Sequence, residues 1–279
     1  MGVVNITPNS FSDGGQFNSS PKDYLRPLLD AHAQILDFGA ESTAPFNKSI
    51  DGKEELARFK DLLNLLQDEV LPNHLKISID SYRPEVVTEL VKEIRNIQKY
   101  KETVIIWNDV SGIVDTKTIE VLDTYKDLLY VLSHNLAPTR EQVGNHIKYI
   151  DNDLSVDKIK NYFIERLDFL KGHEDRVFID LCFGFSKSQE QNYEILNNYD
   201  EFVDLHSKHL IGLSKKSFLQ GMCLSQAKGE KLLESEFYHH MYLSKILLCF
   251  KEDSKVVIRT HDINTVERVK RFLFNQKGK

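Results

Sequence analysis

The chain has 279 residues, 41% of them hydrophobic and 28% charged, with a formal net charge of −6. That apolar content suffices for one large core, and an acidic balance without a basic stripe argues against a nucleic-acid partner. Three cysteines (Cys182, Cys223 and Cys249) show no metal-ligand spacing, and no apolar run approaches a membrane span, so a soluble cytoplasmic protein without structural zinc is expected.

Gly2–Asn5 reads as a buried strand that opens into a loop of small hydroxyls, one proline and a double glycine. Such a loop can settle over a ligand, with Phe11 as apolar anchor and Asp13 as its charge, or can be a plain surface connection of turn formers. Pro21 suits the first turn of a helix. The strand Ile35–Phe38 leads to a long second loop, Ser42–Gly52, and then to an amphipathic helix, Lys53–Val70, with Leu56, Phe59, Leu62, Leu63, Leu66 and Val70 at helical spacing. Further strands are expected at Lys76–Asp80, Val104–Asn108, Leu128–Ser133, Val177–Asp180, His209–Leu213 and Val256–Arg259. Helical patterns at Pro84–Lys99, Asp157–Leu170, Glu234–Phe250 and Asn264–Phe274 interleave with them. Eight alternating units predict a parallel TM-free α/β fold, the TIM (β/α)8 barrel, as a single domain over residues 1–279. A doubly wound sheet would bring fewer strands and a glycine-rich phosphate turn, and neither GxGxxG nor GxxxxGK[ST] occurs. Met1 already falls inside the first strand, which predicts that the start of that strand is missing from this sequence.

In a barrel, chemistry collects where strands end. Those positions hold Asn5, Asp37, Asp80, Asn108 with Asp109, Ser133 with His134, Asp180, Lys215-Lys216-Ser217, and Arg259 with His261. Taken singly, each aspartate reads as well as a helix N-cap. Together, Asp80, Asn108 and Asp180 suit a planar heterocycle that offers both donors and acceptors. The loops after the seventh and eighth strands are a recurrent phosphate site. Arg259 and His261, two apart in a strand-like segment, are expected to point the same way and grip a phosphate or diphosphate, unless they are simply solvated charge.

Several long segments, in order, resemble dihydropteroate synthase, a pterin-binding barrel family of folate synthesis. They are Met1–Gly15, Asp37–Pro45, Ser78–Val86, Trp107–Gly112, Asp180–Lys187, Gly212–Phe218 and Arg259–Asp262. The resemblance implies condensation of a 7,8-dihydropterin-6-ylmethyl diphosphate with p-aminobenzoate, giving 7,8-dihydropteroate and diphosphate by dissociative substitution. It implies that Asp80, Asn108, Asp180 and Lys216 hold the pterin, and that Asn5, Arg259 and His261 hold the diphosphate. Asn5 would bind Mg²⁺, Asp13 would stabilise charge on the pterin methylene, and Thr43, Pro45, Phe183 and Ser217 would flank p-aminobenzoate. It further implies a homodimer, a sulfonamide target, and compatibility with fusion to a pterin pyrophosphokinase domain.

The chain departs from the family pattern at particular places. Ala44 stands for an arginine of the second loop, Phe46 for a glycine, and Asn9 for an acid; Lys48 is the nearest replacement cation. Leu181-Cys182 replaces a Pro-Gly pair, and Ser133 stands where a methionine often lines the pterin pocket. Loss of the loop arginine makes a non-catalytic pterin-binding paralogue the alternative function.

Overall fold

The computed structural model describes residues 1–6, 21–41, 49–68 and 71–274. The strands are β1 (Gly2–Asn5), β2 (Ile35–Gly39), β3 (Lys76–Asp80), β4 (Ile105–Asp109), β5 (Leu129–Ser133), β6 (Val177–Asp180), β7 (Lys208–Ile211) and β8 (Lys255–Ile258). Each pairs in parallel with the next in sequence, β1 through to β8. The circle closes where Gly2 bridges Thr260: Val3 N donates to Thr260 O at 3.2 Å and Thr260 N to Met1 O at 3.0 Å. The fold is thus the eight-stranded parallel barrel expected, and the seventh and eighth strands end earlier than their apolar runs suggest.

The helices are α1 (Pro21–Asp30), α2 (Gly52–Asp68), α3 (Pro84–Asn96), α4 (Thr116–Thr124), α5 (Val156–Phe169), α6 (Gln189–Asn197), α7 (Asp200–Val203), α8 (Lys228–Cys249) and α9 (Ile263–Phe274). Their starts are chemically marked. Pro84 opens α3, where its missing N–H has no cost. Asp115 caps α4 and Ser188 caps α6, each in a reciprocal box with Thr118 and Gln191.

Alternation along the strands sorts their side chains into two layers. Leu36, Phe38, Ile77, Ile79, Trp107, Tyr130 and Ile179 face outward into the large core shared with the helices. Met1, Ile35, Ile106, Val131, Phe178 and Leu210 form a separate cluster inside the barrel. Asp37, Asn108, Ser133 and Asp180 each stand two residues beyond a member of that inner cluster, on the same face and nearer the C-terminal rim. The interior therefore has an apolar floor beneath a polar layer.

One buried polar group in β7 makes folding sensitive to acid. His209 is fully buried, its Nδ1 accepts from Tyr199 OH at 3.0 Å, and its Nε2 donates to His206 O at 2.8 Å. Burial lowers its pKa to about 4. The unfolded chain takes up a proton that the folded chain refuses, so stability is full above the ordinary imidazole pKa and falls as the pH drops below it. Acidifying from about pH 7 to about pH 5 should cost about 2 kcal/mol through this residue. Urea titrations at both values should show a shallower loss in His209→Gln; an equally steep loss would refute the assignment.

Candidate active site

The pairing register sets the polar layer. Asp80 on β3 lies opposite Asn108 on β4, and Ser133 on β5 opposite Asp180 on β6. Arg259, just past β8, reaches inward across the barrel. Its Nε donates to Asp37 Oδ2 and its Nη2 to Asp80 Oδ2, both at 2.6 Å. Although burial opposes its charge, these carboxylates hold the guanidinium pKa above its ordinary value. Burial pushes the Asp80 carboxyl up, against the pull of Arg259.

Asp37 ties the layer together. It is fully buried, accepts from Ser78 Oγ at 2.5 Å, and receives Asn108 Nδ2 at 3.3 Å on both oxygens. Asp37 therefore fixes the orientation of two expected ligand-binding residues, Asn108 and Arg259. Sequence reading placed it at a strand end but gave it no role. Its position on the inner face, two residues after Ile35, was the available signal.

With its amide nitrogen committed to Asp37, Asn108 turns its Oδ1 the other way, where it is buried and has no partner among the described residues. Ser133 Oγ is likewise buried and unpartnered. Such atoms cost about 1–3 kcal/mol each unless a ligand completes them. Asp180 takes the Cys182 N–H at 2.8 Å through Oδ1; burial raises its pKa, and Lys216 pulls it back. Lys216 lies electrostatically against both Asp180 and Asp80, and burial lowers its own pKa. Its Nζ sits 4.7 Å from the centre of the Phe185 ring.

The segment after β6 arranges this part of the site. Cys182, Gly184 and Ser186 adopt positive φ values of 49°, 84° and 50°, so the chain reverses direction repeatedly. Lys187, buried, pins the turn by donating to the carbonyls of His134 at 3.1 Å, Cys182 at 3.3 Å and Phe185 at 2.9 Å. Cys182 occupies a backbone position that suits glycine, which explains the physical cost of its replacing the glycine of the Pro-Gly pair. Burial, with Asp180 adding to it, pushes its thiol up to about 12, so it is a poor nucleophile.

Two expectations need correction here. Phe183 does not reach the site: it is 1% exposed and packs among Phe218 and Tyr199, with ring centres 6.1 and 6.4 Å away. The turns present Phe185 instead, half-buried, beside Lys216 and His146. Nor do Arg259 and His261 share a direction: alternation still carries Arg259 inward, two residues after Val257, which packs against the inner cluster, but the last backbone pairing is at Thr260 and does not extend to His261. Arg259 turns toward β2 and β3, while His261 Nδ1 meets Ser214 Oγ, after β7, at 3.1 Å. Partial burial, with Lys215, Arg259 and Lys216 nearby, lowers the His261 pKa to about 4.

Of the remaining expected residues, Asn5 is exposed at the end of β1, and Ser217 is exposed where a short 3-10 helix, Ser217–Met222, begins. Asp13, Thr43, Ala44, Pro45 and Lys48 lie outside the described residues. The structure thus brings together Asp80, Asn108, Asp180, Lys216 and Arg259. His261 stands to one side of them, and Asn5 stands at the rim. A hollow of about 370 Å³ at the opposite end, lined by Met1, Gln34, Ile35 and Phe250 among others, lies at the strand N-termini, where barrel enzymes carry out no chemistry.

The model of the pterin binding enzyme family matches residues 1–244. The chain belongs to that family. Within it, a dihydropteroate synthase of Synechocystis is 30% identical over 231 residues, covering 81% of this chain and 74% of that protein. The dihydropteroate synthase of Clostridium beijerinckii is 26% identical over 94% of this chain and 88% of its own length. Among solved structures, the dihydropteroate synthase of Clostridium difficile, determined in the presence of pteroic acid, superposes with a TM-score of 0.76 at 26% identity, covering all of this chain and 96% of that one. This pterin-binding enzyme is accordingly a transferase of the dihydropteroate synthase group, with a place in folate biosynthesis. Some relatives are bifunctional, including a mitochondrial folate synthesis protein of Arabidopsis thaliana, of which this chain spans 41%. No helix among the described residues is long and apolar enough to cross a membrane.

Proposed function

We propose that this barrel joins a 7,8-dihydropterin-6-ylmethyl diphosphate to p-aminobenzoate at the strand ends described above. The observation that carries the reading is the polar layer itself. Asp80, Asn108, Asp180 and Lys216 converge over an apolar floor, and the unpartnered Asn108 Oδ1 and Ser133 Oγ await a ligand with donors. A pterin offers such donors along its guanidine-like edge, and charge-assisted bonds to Asp180 and Asp80 hold it in one orientation.

Reaction breaks the bond from the pterin methylene carbon to the diphosphate oxygen, and the electron pair leaves with the diphosphate. The positive charge spreads into the dihydropterin ring, where the Asp80 and Asp180 carboxylates offset it. The aniline nitrogen of p-aminobenzoate then attacks the methylene carbon and releases its proton to solvent. Lys216, Ser217 and Phe185 suit the p-aminobenzoate side, Phe185 replacing Phe183 in that role. Arg259, whose Nη1 has no partner among the described residues, and His261 suit the leaving group from its two sides. Thr43, Pro45 and Asp13 retain the roles implied by the resemblance.

Asn5 fits a Mg²⁺ partner, because an exposed amide oxygen at a strand end is a hard ligand and Mg²⁺ is commonly held by one or two protein groups plus substrate phosphates. When bound, Mg²⁺ neutralises charge on the departing diphosphate. We also propose a cytoplasmic homodimer. The three cysteines are free, and α8 exposes a stripe formed by Leu233, Phe237, Met241 and Leu248, which suits a second copy of the same helix.

Asp180→Ala tests the site. Losing a charge-assisted partner should weaken dihydropterin binding by about 1.5–3 kcal/mol, roughly 10- to 150-fold, with the circular dichroism unchanged. Calorimetry that finds equal affinity would refute the assignment. Diphosphate release from the two substrates and Mg²⁺ tests the reaction. The two phenylalanines should separate cleanly. Phe185→Ala should raise KM for p-aminobenzoate with little loss of stability, whereas Phe183→Ala should cost about 3–5 kcal/mol of folding free energy. The reverse pattern would restore Phe183 to the site.

A further inference from the structure

The long helix α8 carries a second cluster of ligating side chains, outside the polar layer. Glu236, His239 and His240 occupy positions i, i+3 and i+4, which places all three over one turn of helix. Each can offer one ligand atom, and those atoms lie within 4.8 Å of one another. His239 Nδ1 is 3.5 Å from Glu236 Oε2, too long for a strong hydrogen bond. It is close to the ligand-to-ligand edge of a tetrahedral zinc site, roughly 3.3 Å for bonds of about 2.0–2.1 Å. The two imidazole centres are 5.2 Å apart, tilted by 38°.

The histidines have little else to hold them. His239 is 2% exposed and its Nδ1 faces only the long contact to Glu236, while the Nε2 of His240 is buried without a partner among the described residues. Burying an imidazole in this way is costly for packing alone. Burial also keeps His239 neutral, the form that binds metal, while Glu236 and the nearby Asp262 add negative potential.

We propose that Glu236, His239 and His240 bind a zinc-type divalent cation, with the fourth coordination position left to water. Two imidazoles and one carboxylate prefer such an ion to Mg²⁺, which takes oxygen ligands. The site is therefore chemically separate from the one at Asn5. It lies beside the apolar stripe of α8 and near His261. A dication there would tie α8 down next to the loop that carries His261 and add positive charge on that side.

The test starts from intact protein stripped of metal by a chelator and titrated with Zn²⁺ against a chromophoric indicator in excess Mg²⁺. One Zn²⁺ per chain should bind, and Co²⁺ in its place should give the intense visible absorption of a four-coordinate site. Glu236→Gln and His240→Ala, both at half-buried positions, should each weaken Zn²⁺ binding at least about 10- to 100-fold. His74→Ala, at an exposed histidine elsewhere, should leave it unchanged. Absence of stoichiometric uptake overturns the proposal, as does uptake undiminished in a folded Glu236→Gln, His240→Ala double variant.

Discussion

Asp37→Asn is expected to lower kcat/KM by about 100-fold, although Asp37 need not touch either substrate. The substitution halves the carboxylate charge that faces Arg259 and replaces an acceptor of three side chains with an amide that can accept on one atom only. Breaking one partner of a buried ion pair costs about 3–5 kcal/mol, and about 3 kcal/mol expressed in the transition state corresponds to the stated loss. Because Asp37 acts through Arg259 and Asn108, its effect should not add to theirs. Asp37→Asn combined with Arg259→Met should be little worse than Arg259→Met alone. Steady-state rates for the two single variants and the double variant, with binding of a pterin lacking diphosphate measured alongside, check this. Strict additivity would show that Asp37 acts independently of Arg259.

The second large effect concerns stability. Arg83, after β3, lies between two carboxylates: its Nη1 is 2.6 Å from Glu41 Oε2 and 2.6 Å from Glu55 Oε2. Nη2 also bonds Ile50 O, and Tyr82 OH donates to Glu41 at 3.0 Å. Glu55 is 1% exposed on α2, where burial raises its pKa and Arg83 opposes the rise. Arg83→Met would leave two largely buried acids with no cation, at a cost of about 3–5 kcal/mol from a total that is commonly about 5–15. The urea midpoint should fall accordingly, and Glu55→Gln in the same chain should recover part of the loss. A midpoint within experimental scatter of the parent would mean that the trio is solvated and energetically idle. Glu41 precedes the second loop and Ile50 lies near its end, so this pairing also ties both ends of that loop to the barrel.

Most of the barrel was legible because each strand is a short apolar run that ends in a polar residue and is followed by helical spacing. The level of the site was legible for the same reason: Asp80 and Asp180 end their strands on the inner face, and Asn108 stands one residue before the end of its own. What escaped detection depended on backbone directions that residue type does not announce. Cys182 and Ser186 adopt left-handed conformations that composition assigns to glycine, so a two-residue spacing could not say which of Phe183 and Phe185 turns inward. Arg259 and His261 diverge because backbone pairing runs on to Thr260 and no further, so alternation reaches Arg259 but not His261. The role of Asp37 lay in partners distant in sequence, since Arg259 comes at the far end of the chain.

Closure of the barrel rests on the same long separation. β1 meets the segment just after β8 through Gly2 and Thr260, so the first of the barrel's strands to be synthesised must wait for the last before both of its edges are paired. Until then the nascent sheet carries an open margin at β1, and the Asp37 and Asp80 carboxylates stand without the guanidinium that neutralises them. Contacts that link chain ends are slow to form, and unpaired strand edges invite association with other chains. Biosynthesis thus leaves a window, ending only when Arg259 has been added and folded inward, in which β1 keeps an unpaired edge and Asp37 and Asp80 lack their guanidinium partner.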